Sequence, residues 1–137
     1  MASSYYQPCK ELEACNELIE KYWKTQQYDK CFQGYLPLAQ KGYPLAECQV
    51  GYFYWEGLGV DKNLEEAFAW SLRAAEHGDW DGQCNLAELY EKGLGTNLDQ
   101  EKADFWYRQA ALQNHELAIQ KCRERGIALP GQTDSHR

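Results

Sequence analysis

Histidine and cysteine are the residue types in this chain that could most readily do chemistry. The 137 residues include three histidines and six cysteines. A nucleophile needs a base within reach, and zinc needs ligands at short, regular spacings. His77, His115 and His136 are scattered, and no two cysteines form a Cys-x-x-Cys pair. We therefore predict no catalytic or metal site and no cofactor. We expect His77 to lie at a helix end, where its side chain can serve the last carbonyls.

Two Gly-Leu-Gly triplets, at residues 57–59 and 93–95, resemble a phosphate-binding loop at first sight. They lack the Gly-Lys-Ser/Thr that gives such a loop its phosphate and metal contacts. They also recur at a fixed interval, which is typical of structural turns. We interpret both triplets as turns between helices.

The chain contains an internal repeat of 36 residues. Shifting the sequence by that length gives ten identities over positions 46–81, without a gap. The matched pairs include Tyr54 with Tyr90 and Trp70 with Trp106. A period of this length indicates a supersecondary unit that buries its apolar face only by stacking on its neighbours.

One copy of the repeat has the pattern of two helices. Ala46, Val50 and Tyr54 recur at helical spacing, Asn63 is a suitable N-cap, and Gly78 can end the second helix. The sequence therefore predicts an all-α fold, an α/α superhelix (short solenoid) of about three helix hairpins plus a C-terminal capping helix. The predicted helices cover residues 10–25, 28–41, 45–56, 64–77, 81–92, 100–113 and 115–125.

These elements predict one domain with short ends. Residues 1–8 are expected to be a flexible N-terminus and residues 127–137 a disordered tail. The domain itself spans residues 9–126. Its predicted parts are repeats at 9–41, 42–77 and 78–113, followed by a capping helix at 114–126.

The repeated residues resemble the Sel1-like repeat family, which is related to the tetratricopeptide repeat. The likeness rests on Gly57-Leu58-Gly59, on Ala67 with Trp70, and on Ala74-Ala75, each repeated one period later. It covers about residues 42–118, whereas residues 9–41 have no Gly-x-Gly turn and look more like a tetratricopeptide hairpin. The resemblance implies a scaffold or adaptor of protein complexes, with no fixed ligand.

Charge narrows the choice of partner. The formal net charge is −7, which argues against nucleic acid and against an anionic membrane surface as partners. A protein or peptide with a basic surface is easier to accommodate, although acidity can also serve solubility alone. No apolar run reaches the length of a membrane span, and the N-terminus lacks the features of a secretory signal. We therefore expect a cytoplasmic protein.

Cys15 and Cys31 form a candidate redox pair. By repeat register they occupy positions that hold Gly51 and Ala67 in the next copy, where two helices of one hairpin approach closely. The two thiols could therefore form a redox-sensitive link. The alternative interpretation is a pair of small buried apolar residues.

The concave side of such a stack is lined by the first helix of each hairpin, and solenoids commonly bind there. Two residues, Trp55 and Trp80, also break the repeat and are either exposed anchors or signs of local repacking. The predicted partner-binding residues are Gln49, Tyr52, Phe53, Glu56, Asn85, Glu88, Leu89 and Lys92.

The leading hypothesis is a non-enzymatic adaptor or scaffold that holds a protein or peptide on its concave face. An immunity-type inhibitor that neutralises a basic toxin is an alternative, and a toxin gene directly upstream would distinguish it. A hydrolase of small substrates is the alternative of another class, and it would need a pocket with converging titratable groups. A homodimer formed through an exposed end of the short stack is a further hypothesis.

Overall fold

The computed structural model describes residues 10–131, which form seven α-helices and no strand. The predicted α/α superhelix is confirmed, since consecutive helices pack as hairpins that stack on one another. A short π-helical segment, Ile19–Trp23, continues the first helix. The helices are α1 Lys10–Leu18, α2 Tyr28–Gln40, α3 Pro44–Glu56, α4 Leu64–Glu76, α5 Trp80–Lys92, α6 Gln100–Leu112 and α7 Glu116–Arg125.

Short polar side chains set the starts of the second helices. The Asn63 side chain accepts a hydrogen bond from the backbone N–H of Glu66 at 3.1 Å. Asp99 does the same for Lys102, also at 3.1 Å. Each bond satisfies a backbone donor that has no partner within its own helix. The Asn63 cap was predicted from the sequence, and Asn114 has a positive φ of 69° at the end of α6.

The second glycine of each Gly-Leu-Gly turn lies against the backbone of the preceding hairpin. Gly59 and Gly95 have φ of 67° and 72°, a region that side chains with a Cβ rarely adopt. A Cβ on Gly59 would overlap the carbonyl of Tyr28, and a Cβ on Gly95 would overlap that of Leu64. Since Tyr28 and Leu64 are one period apart, the same close contact joins both pairs of hairpins.

Two clusters of buried side chains form the interior. Trp70 packs against the N-terminal cluster and Trp106 against the C-terminal cluster, and both rings are half-buried. The N-terminal cluster comprises Cys15, Cys31, Phe32, Tyr35, Ala39, Ala46, Val50 and Phe53. The C-terminal cluster comprises Ala75, Cys84, Leu86, Ala87, Tyr90, Ala103, Tyr107, Ala110, Ala111, Ala118, Cys122 and Leu129.

The packed chain continues past the capping helix. A disordered tail was expected from residue 127, but Leu129 is buried in the C-terminal cluster and Ile127 packs against it. The prediction is therefore wrong for these residues, because an apolar pair just after Gly126 covers the end of the core. On α7, Arg123 and Glu124 are exposed, whereas Lys121 is half-buried.

Candidate protein-binding surface

The first helices of the hairpins form one layer. Helix α3 contacts both α1 and α5, in addition to its contacts with α2 and α4. Within residues 10–131, the second helices α2, α4 and α6 make no comparable contacts with one another. Closer packing of the first helices is expected on the inner side of a superhelix, and that assignment stays a prediction. We call the exposed and half-buried residues of α3 and α5 on this side the inner surface.

Six of the eight predicted binding residues lie outside the cores. Tyr52, Glu56 and Lys92 are exposed, while Gln49, Asn85 and Glu88 are half-buried.

The prediction is wrong for Phe53 and Leu89, which are fully buried. The error arises from helical geometry. Seven residues bring a helix back to within about 20° of its starting direction, whereas eight residues overshoot it by about 80°. Phe53 is therefore aligned with Ala46 on the buried face, and Leu89 is aligned with Gly82. Tyr54, which was assigned to the buried stripe, is instead half-buried at its edge.

Contacts between side chains order much of the inner surface. The Tyr52 ring lies 6.3 Å from that of Trp23, measured between centroids. Lys92 Nζ lies 2.7 Å from Glu88 Oε2, a pair one helical turn apart on α5. The Asn85 amide donates to the Cys48 sulfur at 3.7 Å, which joins α5 to α3.

Trp55 and Trp80 are both half-buried. The ring of Trp80 packs edge-on against the ring of His115, with centroids 5.4 Å apart. His115 also caps α7 and lies 2.8 Å from an Asp81 carboxylate oxygen. For Trp80, these contacts favour local repacking over an exposed anchor.

Cys15 and Cys31 are both thiols in the N-terminal cluster. Burial raises the pKa of Cys31 to about 11, so this thiol keeps its proton at neutral pH and is a weak nucleophile. The environment favours two small core residues, and a redox link stays a prediction.

His77 has a role that sequence reasoning missed. Its Nδ1 lies 2.7 Å from Oε1 of Glu47, a carboxylate whose side chain is only 1% exposed. The side chain was expected to serve helix carbonyls instead. One period later the positions of these two residues hold Gln83 and Gln113, whose side-chain amides are joined at 2.9 Å. Both members of this pair differ between the two copies, and both pairs are polar and 30 residues apart. That joint change is the sequence signal that could have indicated the side-chain hydrogen bond.

Comparison with known proteins decides the family. The family model described as Sel1 repeat matches residues 44–79 and 80–115, which together make up more than half of the chain. The chain belongs to the Sel1 repeat family. Such repeats typically mediate protein–protein interactions.

Two solved structures share the fold. A Sel1 repeat protein from Oxalobacter formigenes is 40% identical with a TM-score of 0.72, and the alignment covers 83% of this chain and 44% of that one. The protective antigen c5321 of uropathogenic Escherichia coli is 29% identical with a TM-score of 0.73, over 87% of this chain and 26% of that one. The present chain therefore spans less than half the length of either protein.

Similarity also extends to a curated yeast protein, the chitin synthase regulator SKT5 of Saccharomyces cerevisiae. The two sequences are 41% identical over 51 residues, which is 37% of this chain and 7% of the regulator. The match thus concerns a repeat segment and not the whole regulator.

Residues 10–131 bring together no group of three or more His, Cys, Asp or Glu side chains that could hold a metal ion. In the same range, no helix combines the length and the apolar character that a membrane crossing requires.

Ser71 occupies a position in the first Sel1 repeat that is tyrosine in the copies on either side, Tyr35 and Tyr107. Tyr107 donates to Glu91 at 2.6 Å, and the residue in the register of Glu91 is Trp55. The first repeat thus combines a large ring with a small hydroxyl where the second combines a carboxylate with a phenol.

Replacing Ser71 with alanine is expected to raise the free energy of unfolding by about 1 kcal/mol. The buried Ser71 hydroxyl oxygen has no hydrogen-bond partner among the described residues, so removing it eliminates a desolvation cost. Urea unfolding of the wild type and Ser71→Ala would measure the difference. A loss of stability would contradict this account, since it would mean that the hydroxyl makes a bond worth keeping.

Glu91 connects the second repeat to the capping helix. Arg125 of α7 lies 3.1 Å from Glu91 and 2.6 Å from Asp104. Partial burial alone would raise the pKa of Glu91, but the hydrogen bond from Tyr107 and the charges of Lys121 and Arg125 lower it below its ordinary value. The network therefore favours an ionised Glu91 in the folded state.

The stabilisation from Glu91 is expected to depend on pH. Because its pKa is lower in the folded than in the unfolded state, the contribution is present above the unfolded value and is lost as pH falls through the folded value. Glu91→Gln should be less stable than the wild type near pH 7, and the difference should shrink towards about pH 3. Urea titrations at both pH values would test this. A difference that stays constant with pH would contradict it.

Proposed function

We propose that this chain is a non-enzymatic interaction module that holds a protein or peptide partner on its inner surface. One observation carries the proposal. At three matching positions of successive repeats, side chains stay outside the cores although adjacent residues of the same helices, such as Phe53 and Leu89, are buried. The matching pairs are Gln49 with Asn85, Tyr52 with Glu88, and Glu56 with Lys92.

The chemistry of this surface suits a partner with a basic segment. Tyr52 offers a rigid aromatic ring, of the kind that anchors protein interfaces. Glu88 and Lys92 neutralise each other, whereas Glu56 is exposed and makes no salt bridge within residues 10–131. A cationic side chain of the partner can therefore pair with Glu56 while an apolar stem lies on Tyr52. The net charge of −7 favours the same kind of partner.

The described histidines support a non-enzymatic role. His77 pairs with the buried Glu47, and His115 caps α7 while contacting Asp81. Both rings therefore stabilise the repeat stack. The name of the yeast relative describes a regulator of an enzyme, and binding is a natural way for a regulator to act. An immunity-type inhibitor is a more specific version of the same proposal.

Partner capture with purified full-length chain would test the proposal. The inner-surface variant carries alanine at Gln49, Glu56, Asn85 and Glu88. A matched control carries alanine at Gln33 and Gln40, which are exposed on α2. We expect the control to retain the captured protein and the inner-surface variant to bind it at least about tenfold more weakly.

Circular dichroism would establish that both variants remain helical. Equal binding by the wild type and the inner-surface variant would show that the assigned surface is wrong. The wild type is expected to bind more weakly at higher salt. Salt screens a solvent-exposed ion pair such as the one proposed between Glu56 and a cationic side chain of the partner.

A further inference from the structure

An apolar stripe runs along the outward face of α6 and lies apart from the inner surface. Its members, Leu98, Phe105 and Leu112, are 59%, 54% and 49% exposed. Phe105 and Leu112 are seven residues apart on α6 and therefore lie on one face of it, whereas Leu98 lies in the turn directly before the Asp99 N-cap. Phe105 is supported from one side by Trp106, whose ring centroid lies 5.0 Å away.

The repeat does not require apolar residues at these positions. One period earlier, the equivalent exposed positions hold Lys62, Ala69 and Glu76. One period earlier again, they hold glutamine three times, at residues 26, 33 and 40, and all three are exposed. The same fold forms with polar or small residues at these positions. Folding therefore does not require the apolar side chains of the stripe, and an intermolecular contact would account for them.

The stripe has the same order of side chains in both directions, with leucine seven residues before and seven after a central phenylalanine. We propose that it pairs with the stripe of a second copy of this chain, with the two α6 helices antiparallel. A two-fold axis through the centre sets Phe105 against Phe105 of the second copy and brings Leu112 towards the N-terminal end of the second α6, where Leu98 precedes the helix. A two-fold interface places the same surface of both copies face to face, so a symmetric order of side chains is suited to it.

Charges beside the stripe fit the same pairing. Glu101 and Arg108 are seven residues apart and both exposed, and neither makes a salt bridge in the part of the chain that the structure describes. Both lie on the same side of Phe105, at about 40° and about 60° around the helix. A two-fold axis perpendicular to α6 keeps flanking residues on the same side and reverses their order. Glu101 of each copy therefore faces Arg108 of the other, which gives two ion pairs.

The other side of the stripe is compatible with this arrangement. Lys102 and Gln109 flank Phe105 there, and the symmetry sets each Lys102 against Gln109 of the second copy. No like charges meet across the helix pair. A parallel pair would instead set Glu101 against Lys102 of the second copy and leave Arg108 beside Gln109, so the response to changes at Arg108 distinguishes the two arrangements.

Sedimentation equilibrium of the full chain, from about 1 μM to about 1 mM, would test the proposal. The wild type is expected to shift from monomer to dimer within this range. Phe105→Glu should raise the dissociation constant at least about hundredfold, because it places two carboxylates at the centre of the interface. Ala69→Glu, at the equivalent position of α4, is the matched control and should leave the dissociation constant unchanged.

Exchange of the flanking charges separates this pairing from other modes of association. Glu101→Arg and Arg108→Glu should each raise the dissociation constant roughly tenfold, because each creates like-charge pairs. The double variant restores opposite charges and should return to within about threefold of the wild type. A wild type that stays monomeric up to about 1 mM overturns the proposal. So does a dimer that Phe105→Glu leaves intact, or a double variant weaker than both single variants.

Discussion

Replacing Gly95 with alanine is expected to lower the free energy of unfolding by more than about 3 kcal/mol. Two costs combine at this position. A non-glycine residue at a φ of 72° costs about 1–2 kcal/mol by itself. The added methyl group would also overlap the Leu64 carbonyl, and relief of that overlap must move the backbone of one hairpin away from the next. Urea unfolding followed by circular dichroism would measure the loss.

Gly78 provides the matched control for this prediction. It has a positive φ of 94°, but a Cβ there would meet no atom within 4 Å. Gly78→Ala should therefore show the conformational cost alone, about 1–2 kcal/mol. Equal losses in the two variants would mean that the close approach of Gly95 to Leu64 adds nothing, and that the turn needs glycine only for its dihedral angles.

The repeat period was enough to predict the fold because it fixes several features at once. A shift of 36 residues aligns turn glycines with turn glycines and caps with caps, so Asn63 and Asp99 identified the same helix start. The weakest part of the prediction was the first hairpin, where the pattern is degenerate. There the structure has the π-helical segment Ile19–Trp23, which no local sequence signal indicated.

The inner surface was harder to predict than the fold. Helices in the middle of a stack have neighbours on several sides, so their buried arc is wider than that of an ordinary amphipathic helix. Phe53 and Leu89 fall inside that arc, while Tyr52 and Glu88, one residue earlier, fall outside it. A rotation of one residue, about 100°, thus decides between core and surface. Only coordinates define the arc closely enough for that distinction.

Polar side-chain contacts between the two helices of a hairpin were missed for a different reason. Glu47 was not singled out, because a glutamate on a helix is usually exposed. Its burial depends on His77, thirty residues later, which covers the carboxylate from the next helix of the hairpin. Neither residue indicates the pair by itself. The evidence lies in the joint change from Glu47 and His77 to Gln83 and Gln113 in the following repeat.

Replacing His77 with alanine is expected to lower the free energy of unfolding by about 2–3 kcal/mol. The variant leaves the Glu47 carboxylate, 1% exposed, without the hydrogen bond that its burial requires. The half-exposed position of His77 lets water reach the gap, which keeps the loss below that of a deeply buried ion pair. Thermal or urea unfolding near neutral pH would measure the effect.

The neighbouring repeat supplies a control that separates the pair from its parts. The double variant Glu47→Gln with His77→Gln installs the side chains of Gln83 and Gln113, whose amides bond at 2.9 Å in the same geometry. It should fall within about 1 kcal/mol of the wild type, because every buried polar atom regains a partner. If His77→Ala alone is as stable as the double variant, Glu47 does not need a partner from α4. The carboxylate would then be satisfied by water that enters beside the shorter side chain, and the tie between α3 and α4 would contribute little.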